Sequence, residues 1–154
     1  MSRPIAVFPG TFDPITIGHV SIVLRSLPLF ERIVIGMGVN NTKKTMFAQE
    51  ERMAWIAEAF KDHPQVEAMA FEGLTVELCK RVGAGFIIRG LRNSTDHGYE
   101  RSIALTNRQL AGVETIFLPA APEHAHISST IVRELLANKA DVSALVPMVL
   151  PRRS

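Results

Sequence analysis

Residues 8–19 read Phe8-Pro9-Gly10-Thr11-Phe12-Asp13-Pro14-Ile15-Thr16-Ile17-Gly18-His19 and bring together the parts of an anion site. The apolar run Ile5-Ala6-Val7-Phe8 leading into them is of the kind that fills a central parallel strand. Val20, Val23, Leu24 and Leu27 follow at helical spacing, so Gly18-His19 opens a helix. A helix start presents unpaired N–H groups and the positive end of the dipole, and Gly10 and Gly18 let a ligand approach the backbone closely. This is chemistry suited to phosphate.

Three further clusters carry suitable groups. The polar loop Asn40-Asn41-Thr42-Lys43-Lys44-Thr45 offers two adjacent ammonium groups, either as a solvated turn or as mobile charges brought to a phosphate. Ile88-Arg89-Gly90-Leu91-Arg92 sets two arginines around a glycine, and arginine forks grip phosphate oxygens in pairs. Arg89 ends an apolar run and so needs an anionic partner, either a ligand or a structural pair with Asp96 or Glu100. Ile127-Ser128-Ser129-Thr130, ahead of Ile131, Val132, Leu135 and Leu136, reads as a helix cap whose hydroxyls and free N–H groups also suit phosphate.

These clusters need a scaffold, and the chain supplies one by alternating β-type runs with helical patterns. Strands are expected at Ile5–Phe8, Ile33–Val39, Val66–Phe71, Phe86–Ile88 and Thr115–Leu118. Helices are expected between them, one marked by Met53, Ile56, Ala57 and Phe60 and one by Thr75, Leu78, Cys79 and Val82, with Gly83 closing the latter. A further helix covers Asp96 to Ala111, and the last starts near Ser129. The reading is one doubly wound, Rossmann-like α/β domain over 1–154, a five-stranded parallel sheet with helices on both faces and a possible flexible tail at 151–154. In such sheets ligands sit beyond the carboxyl ends of the strands, where all the clusters fall.

Composition narrows the function classes. With 47% hydrophobic and 21% charged residues the chain is ordinary for a globular protein, and no apolar run approaches the roughly 20 residues that span a bilayer. No membrane role is expected, and the start Met1-Ser2-Arg3-Pro4 lacks a signal peptide, which points to the cytoplasm. A single cysteine, Cys79, excludes an internal disulfide and agrees with a reducing compartment. The formal charge is only +2 and the basic residues form no stripe, so no nucleic-acid partner is expected. A Rossmann-type oxidoreductase would need Gly-x-Gly-x-x-Gly after the first strand, where this chain has Gly-Thr-Phe-Asp-Pro-Ile.

The string Pro9-Gly10-Thr11-Phe12-Asp13-Pro14 followed by Thr16-Ile17-Gly18-His19 resembles the nucleotidyltransferase superfamily and, within it, the bacterial phosphopantetheine adenylyltransferases. Ile88 to Arg92, the pair Tyr99-Glu100 and Ile127 to Thr130 extend the resemblance from Ile5 to about Pro147. It implies transfer of AMP from ATP to 4′-phosphopantetheine, giving dephospho-coenzyme A and pyrophosphate. It assigns His19, Lys43 and Thr11 to catalysis. ATP falls to Thr11, Phe12, His19, Gly90, Leu91, Arg92, Glu100 and the run His124, Ala125, His126, Ile127, Ser128, Ser129 and Thr130. Phosphopantetheine falls to Thr11, Lys43, Leu74, Thr75 and Arg89.

The resemblance also implies a homohexamer inhibited by coenzyme A. Magnesium is expected on the triphosphate, held by phosphates and water more than by protein, because acids are not clustered. This chain departs from the family's habit at three places, with Phe8 where Tyr is frequent, Ala48 where a capping Thr is usual, and His124-Ala125-His126 where aromatics are common. Another adenylyl- or cytidylyltransferase, or a non-catalytic nucleotide-binding module, remains as an alternative.

Overall fold

In the computed structural model the chain forms one parallel sheet, and residues 2–151 are described, with residues 94–96 described in backbone only. The strands are β1 (Ile5–Gly10), β2 (Arg32–Gly38), β3 (Val66–Phe71), β4 (Phe86–Leu91) and β5 (Glu114–Pro119), in the order β3-β2-β1-β4-β5. The helices are α1 (Ile17–Ser26), α2 (Gln49–Ala59), α3 (Thr75–Val82), α4 (Ser94–Ala111) and α5 (Ser129–Ala137). Residues 152–154, most of the expected tail, lie outside the described residues.

Alternation along the strands divides the core between the two faces. Ala6, Phe8, Ile33, Ile35, Met37 and Ile88 pack with Ile22 and Val23 of α1 and with Ile56 of α2. Val7, Val34 and Ile87 point the other way, against Val76, Leu78 and Cys79 of α3. Successive strand residues therefore feed opposite layers, as a sheet covered on both sides requires. Gly36 admits the α3 layer closely, since a Cβ there would lie 2.6 Å from Leu78 Cδ2.

Two strands run further than their apolar runs suggest. β1 continues to Gly10 because Pro9 and Gly10 still pair with Gly36 and Met37 of β2. β4 continues to Leu91 because Arg89, Gly90 and Leu91 pair with Phe117, Leu118 and Pro119 of β5. Arg89 and Gly90 thus belong to a strand, not to the loop after it. Backbone pairing ignores side-chain polarity, so a charged residue can extend a strand that hydrophobicity would end. α4 likewise begins at Ser94, two residues ahead of the expected Asp96.

Helix ends follow local chemistry. Gly83 closes α3 at φ 74°, the left-handed position expected of it. α2 starts without a capping side chain at Ala48, but the Ala48 N–H donates to Glu51 Oε1 at 3.3 Å. The usual threonine is therefore replaced by only half of a capping box. Among the described residues no helix is long and apolar enough to cross a membrane.

Candidate active site

β1 and β4 are neighbours, yet they pair only at Ala6 with Phe86 and Val7 with Ile87. Beyond those residues each strand follows its outer partner, so the sheet splits at its carboxyl edge. The order reverses between these strands, and such a switch point is where open α/β sheets bind ligands. The Arg89 guanidinium reaches into the split and donates from Nη1 to the Pro9 carbonyl at 2.9 Å.

His19 stands on one side of this crevice. Thr16 caps α1, and its Oγ1 accepts from the His19 N–H at 3.3 Å. The Thr16 N–H in turn donates to His19 Nδ1 at 2.9 Å. Because Nδ1 accepts there, the neutral ring carries its proton on Nε2. Phe12, at φ 51° and 2% exposed, sets its ring edge-on to His19 at 5.0 Å between centroids. A Cβ at Gly10 would lie 3.0 Å from that ring, so Gly10 makes room for Phe12 as well as for a ligand. Phe12 borders the smaller cavity described below, but its buried side chain supports the histidine from beneath.

Burial, with the charges of Arg89 and Arg92 added to it, pulls the His19 imidazolium down to about 4. At neutral pH His19 is therefore a neutral donor. The unfolded chain, with an ordinary value of about 6.5, takes up this proton first on acidification, so the stability His19 contributes is full above about 6.5 and fades toward 4. Denaturant unfolding at pH 5 and pH 7 is expected to differ less in His19→Gln than in the native protein. Equal pH dependence in the two would contradict a depressed His19.

Arg89 already has a carboxylate partner in this structure. Its Nε and Nη2 donate to Glu100 Oε2 and Oε1 at 2.9 and 2.6 Å, a paired fork. Of the two structural partners open from the sequence, the chain uses Glu100, while the Asp96 side chain lies outside the described residues. Glu100 is thus held on α4 at the wall of the crevice by the arginine expected to bind substrate.

The loop between β2 and α2 brings Lys43 to the crevice as well. Asn40 Oδ1 accepts from Thr42 N and Thr42 Oγ1 at 3.0 and 2.6 Å, which turns the chain ahead of Lys43. From the far side α5 closes the site. Ser128 caps α5 by accepting from the Ile131 N–H at 3.1 Å, whereas Ser129 Oγ donates to the Pro14 carbonyl at 2.7 Å. Arg133 Nη1 donates to the Asp13 carbonyl at 2.9 Å, and the Leu145 carbonyl accepts the Ile17 N–H at 3.0 Å.

Two cavities result. One, of about 450 Å³, is lined by His19, Gly90, Arg92, His124, Ile127, Ser128, Ser129 and Thr130, among others. The other, of about 1200 Å³, runs past Asn40, Phe71, Gly73, Thr75, Tyr99 and Asn107. Both share Pro9, Gly10, Thr11, Lys43, Arg89 and Glu100. Most of the residues expected from the sequence therefore meet, while Leu74, Leu91, Ala125 and His126 line neither cavity. Asp13, Thr16, Arg52 and Arg133 were given no binding or catalytic role by the sequence; Asp13 and Thr16 stand inside the string at 9–19, whereas Arg52 and Arg133 act through partners remote in the chain.

Nucleotidyltransferases are the class that this sheet and its tetrad Thr16-Ile17-Gly18-His19 define, and the cytidylyltransferase-like family matches residues 7–135. The chain is 54% identical over 142 residues to the phosphopantetheine adenylyltransferase of Flavobacterium psychrophilum, spanning 92% of this chain and 94% of that one. It is 48% identical over 142 residues to that of Bacteroides thetaiotaomicron (92% and 94% covered) and 48% identical over 147 residues to that of Leuconostoc citreum (95% and 93% covered). The chain belongs to the phosphopantetheine adenylyltransferase family. A bifunctional NMN adenylyltransferase/ADP ribose pyrophosphatase from Francisella tularensis shares the fold at a TM-score of 0.73 and 18% identity, over 96% of this chain and 46% of that one.

Proposed function

We propose that the protein transfers the adenylyl group of ATP to the terminal phosphate of 4′-phosphopantetheine, releasing pyrophosphate and forming dephospho-coenzyme A. One observation carries this reading. Two cavities of different lining share a wall bearing Thr11, Lys43 and Arg89, so a nucleotide in one and a phosphorylated acceptor in the other would bring their phosphates together there. The nucleotide takes the smaller cavity, between the start of α1 and the start of α5. The acceptor arm takes the larger.

A phosphate monoester has a second pKa of about 6 and is largely ionised at neutral pH, so its oxygen can attack the α-phosphorus without a general base. The bond from the α-phosphorus to the bridging oxygen breaks, and pyrophosphate leaves with the electron pair. Negative charge grows on the α-phosphoryl oxygens and on the leaving group, where fixed donors lower the barrier most. His19 Nε2–H, the Thr11 hydroxyl and the Lys43 ammonium fill that role. Arg89 holds the acceptor phosphate. Cys79, on the buried face of α3 with its thiol pushed up to about 11, is unsuited to a covalent route.

Magnesium enters this reading with the triphosphate. Asp13 is occupied by the Met46 and Phe47 N–H groups and Glu100 by Arg89, so the nearby carboxylates do not fit a protein-held cation site. No step is assigned to the ion. A homohexamer, feedback by coenzyme A and a cytoplasmic setting complete the proposal. Association is favoured by the exposed Tyr99, Ile103 and Leu110, which share one side of α4.

Pyrophosphate release from ATP, measured against a panel of phosphorylated acceptors, tests the reading. Release is expected with 4′-phosphopantetheine, and labelled pyrophosphate is not expected to exchange into ATP without acceptor or product. Release with another acceptor alone would redirect the substrate, and acceptor-free exchange would replace direct transfer by a covalent intermediate.

A further inference from the structure

Arg52 lies on α2, 4% exposed, and none of the chemistry above uses it. Its guanidinium divides between two loops, donating from Nε to the Phe47 carbonyl at 3.1 Å and from Nη1 to the Thr11 carbonyl at 2.8 Å. Asp13, also 4% exposed, does the converse from the β1–α1 loop. Its Oδ2 and Oδ1 accept from the Met46 and Phe47 N–H groups at 2.9 and 3.0 Å. Each buried charge thus grips backbone of the other's loop. Thr45 Oγ1 adds a second bond to the Phe47 carbonyl, at 2.7 Å.

We infer that Arg52 is a positioning residue for transfer, fixing the loop that carries Lys43 at a set distance from Thr11. The physical grounds are cost and placement. A buried guanidinium is expensive to desolvate, and simple packing against the core would call for an apolar side chain instead. Here the fork joins the two segments that bear two of the three donors named above. Lys43 itself is an exposed, flexible point charge, so its reach is set by where its backbone is held. The Asn40 turn fixes one side of that backbone, and the Asp13–Arg52 brace fixes the other.

The inference rests on the reading of Lys43 as a phosphate ligand, and a double-mutant cycle on pyrophosphate release separates the two. Misplacing a reacting group by about 1 Å can cost about 10²-fold, so Arg52→Met is expected to lower kcat about tenfold or more, with KM for ATP and acceptor within about twofold. In a Lys43→Ala background the same change is expected to cost less than about twofold, because the ammonium that the brace places is gone. Arg52→Lys, able to keep one carbonyl but not both, is expected to fall between. Asp13→Asn repeats the cycle from the other end of the brace if Arg52→Met does not fold. A full tenfold loss on top of Lys43→Ala, unchanged kcat in a folded Arg52 variant, or a raised acceptor KM at constant kcat would each overturn the positioning role. If Lys43→Ala alone leaves kcat unchanged, the reading of Lys43 falls and takes this inference with it.

Discussion

His19→Ala is expected to turn over bound substrates about 10² to 10³-fold more slowly, the scale of losing one preorganised donor to a developing charge. The structure gives specific grounds for so large an effect. The Thr16 N–H occupies Nδ1, the Phe12 ring supports the imidazole edge-on, and burial keeps the ring neutral, so its remaining N–H is fixed in direction before substrate arrives. A donor that needs no reorganisation acts on the transition state more than on bound ATP. The affinity for ATP, measured by equilibrium titration, is therefore expected to change little. Collapse of ATP binding with turnover of bound substrate preserved would make His19 a ground-state ligand. Because the ring is already neutral well above pH 4, the activity profile near neutrality should also lack an acid limb from His19.

Arg89→Lys should raise the acceptor KM about 10 to 100-fold, the range for losing a charged hydrogen bond. Lysine keeps the charge but not the fork. In the structure three Arg89 N–H groups are already used, two on Glu100 and one on the Pro9 carbonyl across the split between β1 and β4. An ammonium can neutralise Glu100 or bridge to Pro9, but it cannot do both and also meet a phosphate. Steady-state kinetics with each substrate varied in turn give the answer, alongside thermal unfolding to show that the fold survives. An unchanged acceptor KM would reduce Arg89 to the structural partner of Glu100.

How legible the site was depended on whether its parts were local in sequence. β1 and the start of α1 could be read directly, because the continuous apolar run Ile5–Phe8 and the helical spacing of Val20 and Val23 are both short-range signals. The cap at Ser128 was local in the same way. The extension of β4 through Arg89 was not, because it depends on pairing with β5, nearly thirty residues later in the chain. The same holds for the choice between Asp96, Glu100 and a ligand as the partner of Arg89. Phe12 read as part of a binding string, but its backbone turn sends the ring inward. Arg52 was the least visible. An arginine within Glu50-Glu51-Arg52 looks like one more charge on a solvated helix, and its carbonyl partner Thr11 is 41 residues away.

The Ile17–Leu145 bond gives the site a dependence on the order of synthesis. The first amide of α1, that of Ile17 inside the Thr16–His19 tetrad, is satisfied by the Leu145 carbonyl beyond α5, while Ser129 and Arg133 fasten the Pro14 and Asp13 carbonyls. During translation β1 and α1 leave the ribosome early, whereas these partners emerge only after all five strands. A nascent chain can lay down most of the sheet while the turn around His19 still lacks these closing contacts. Competence for transfer therefore arrives late, as the segment after α5 folds back on the beginning of the chain.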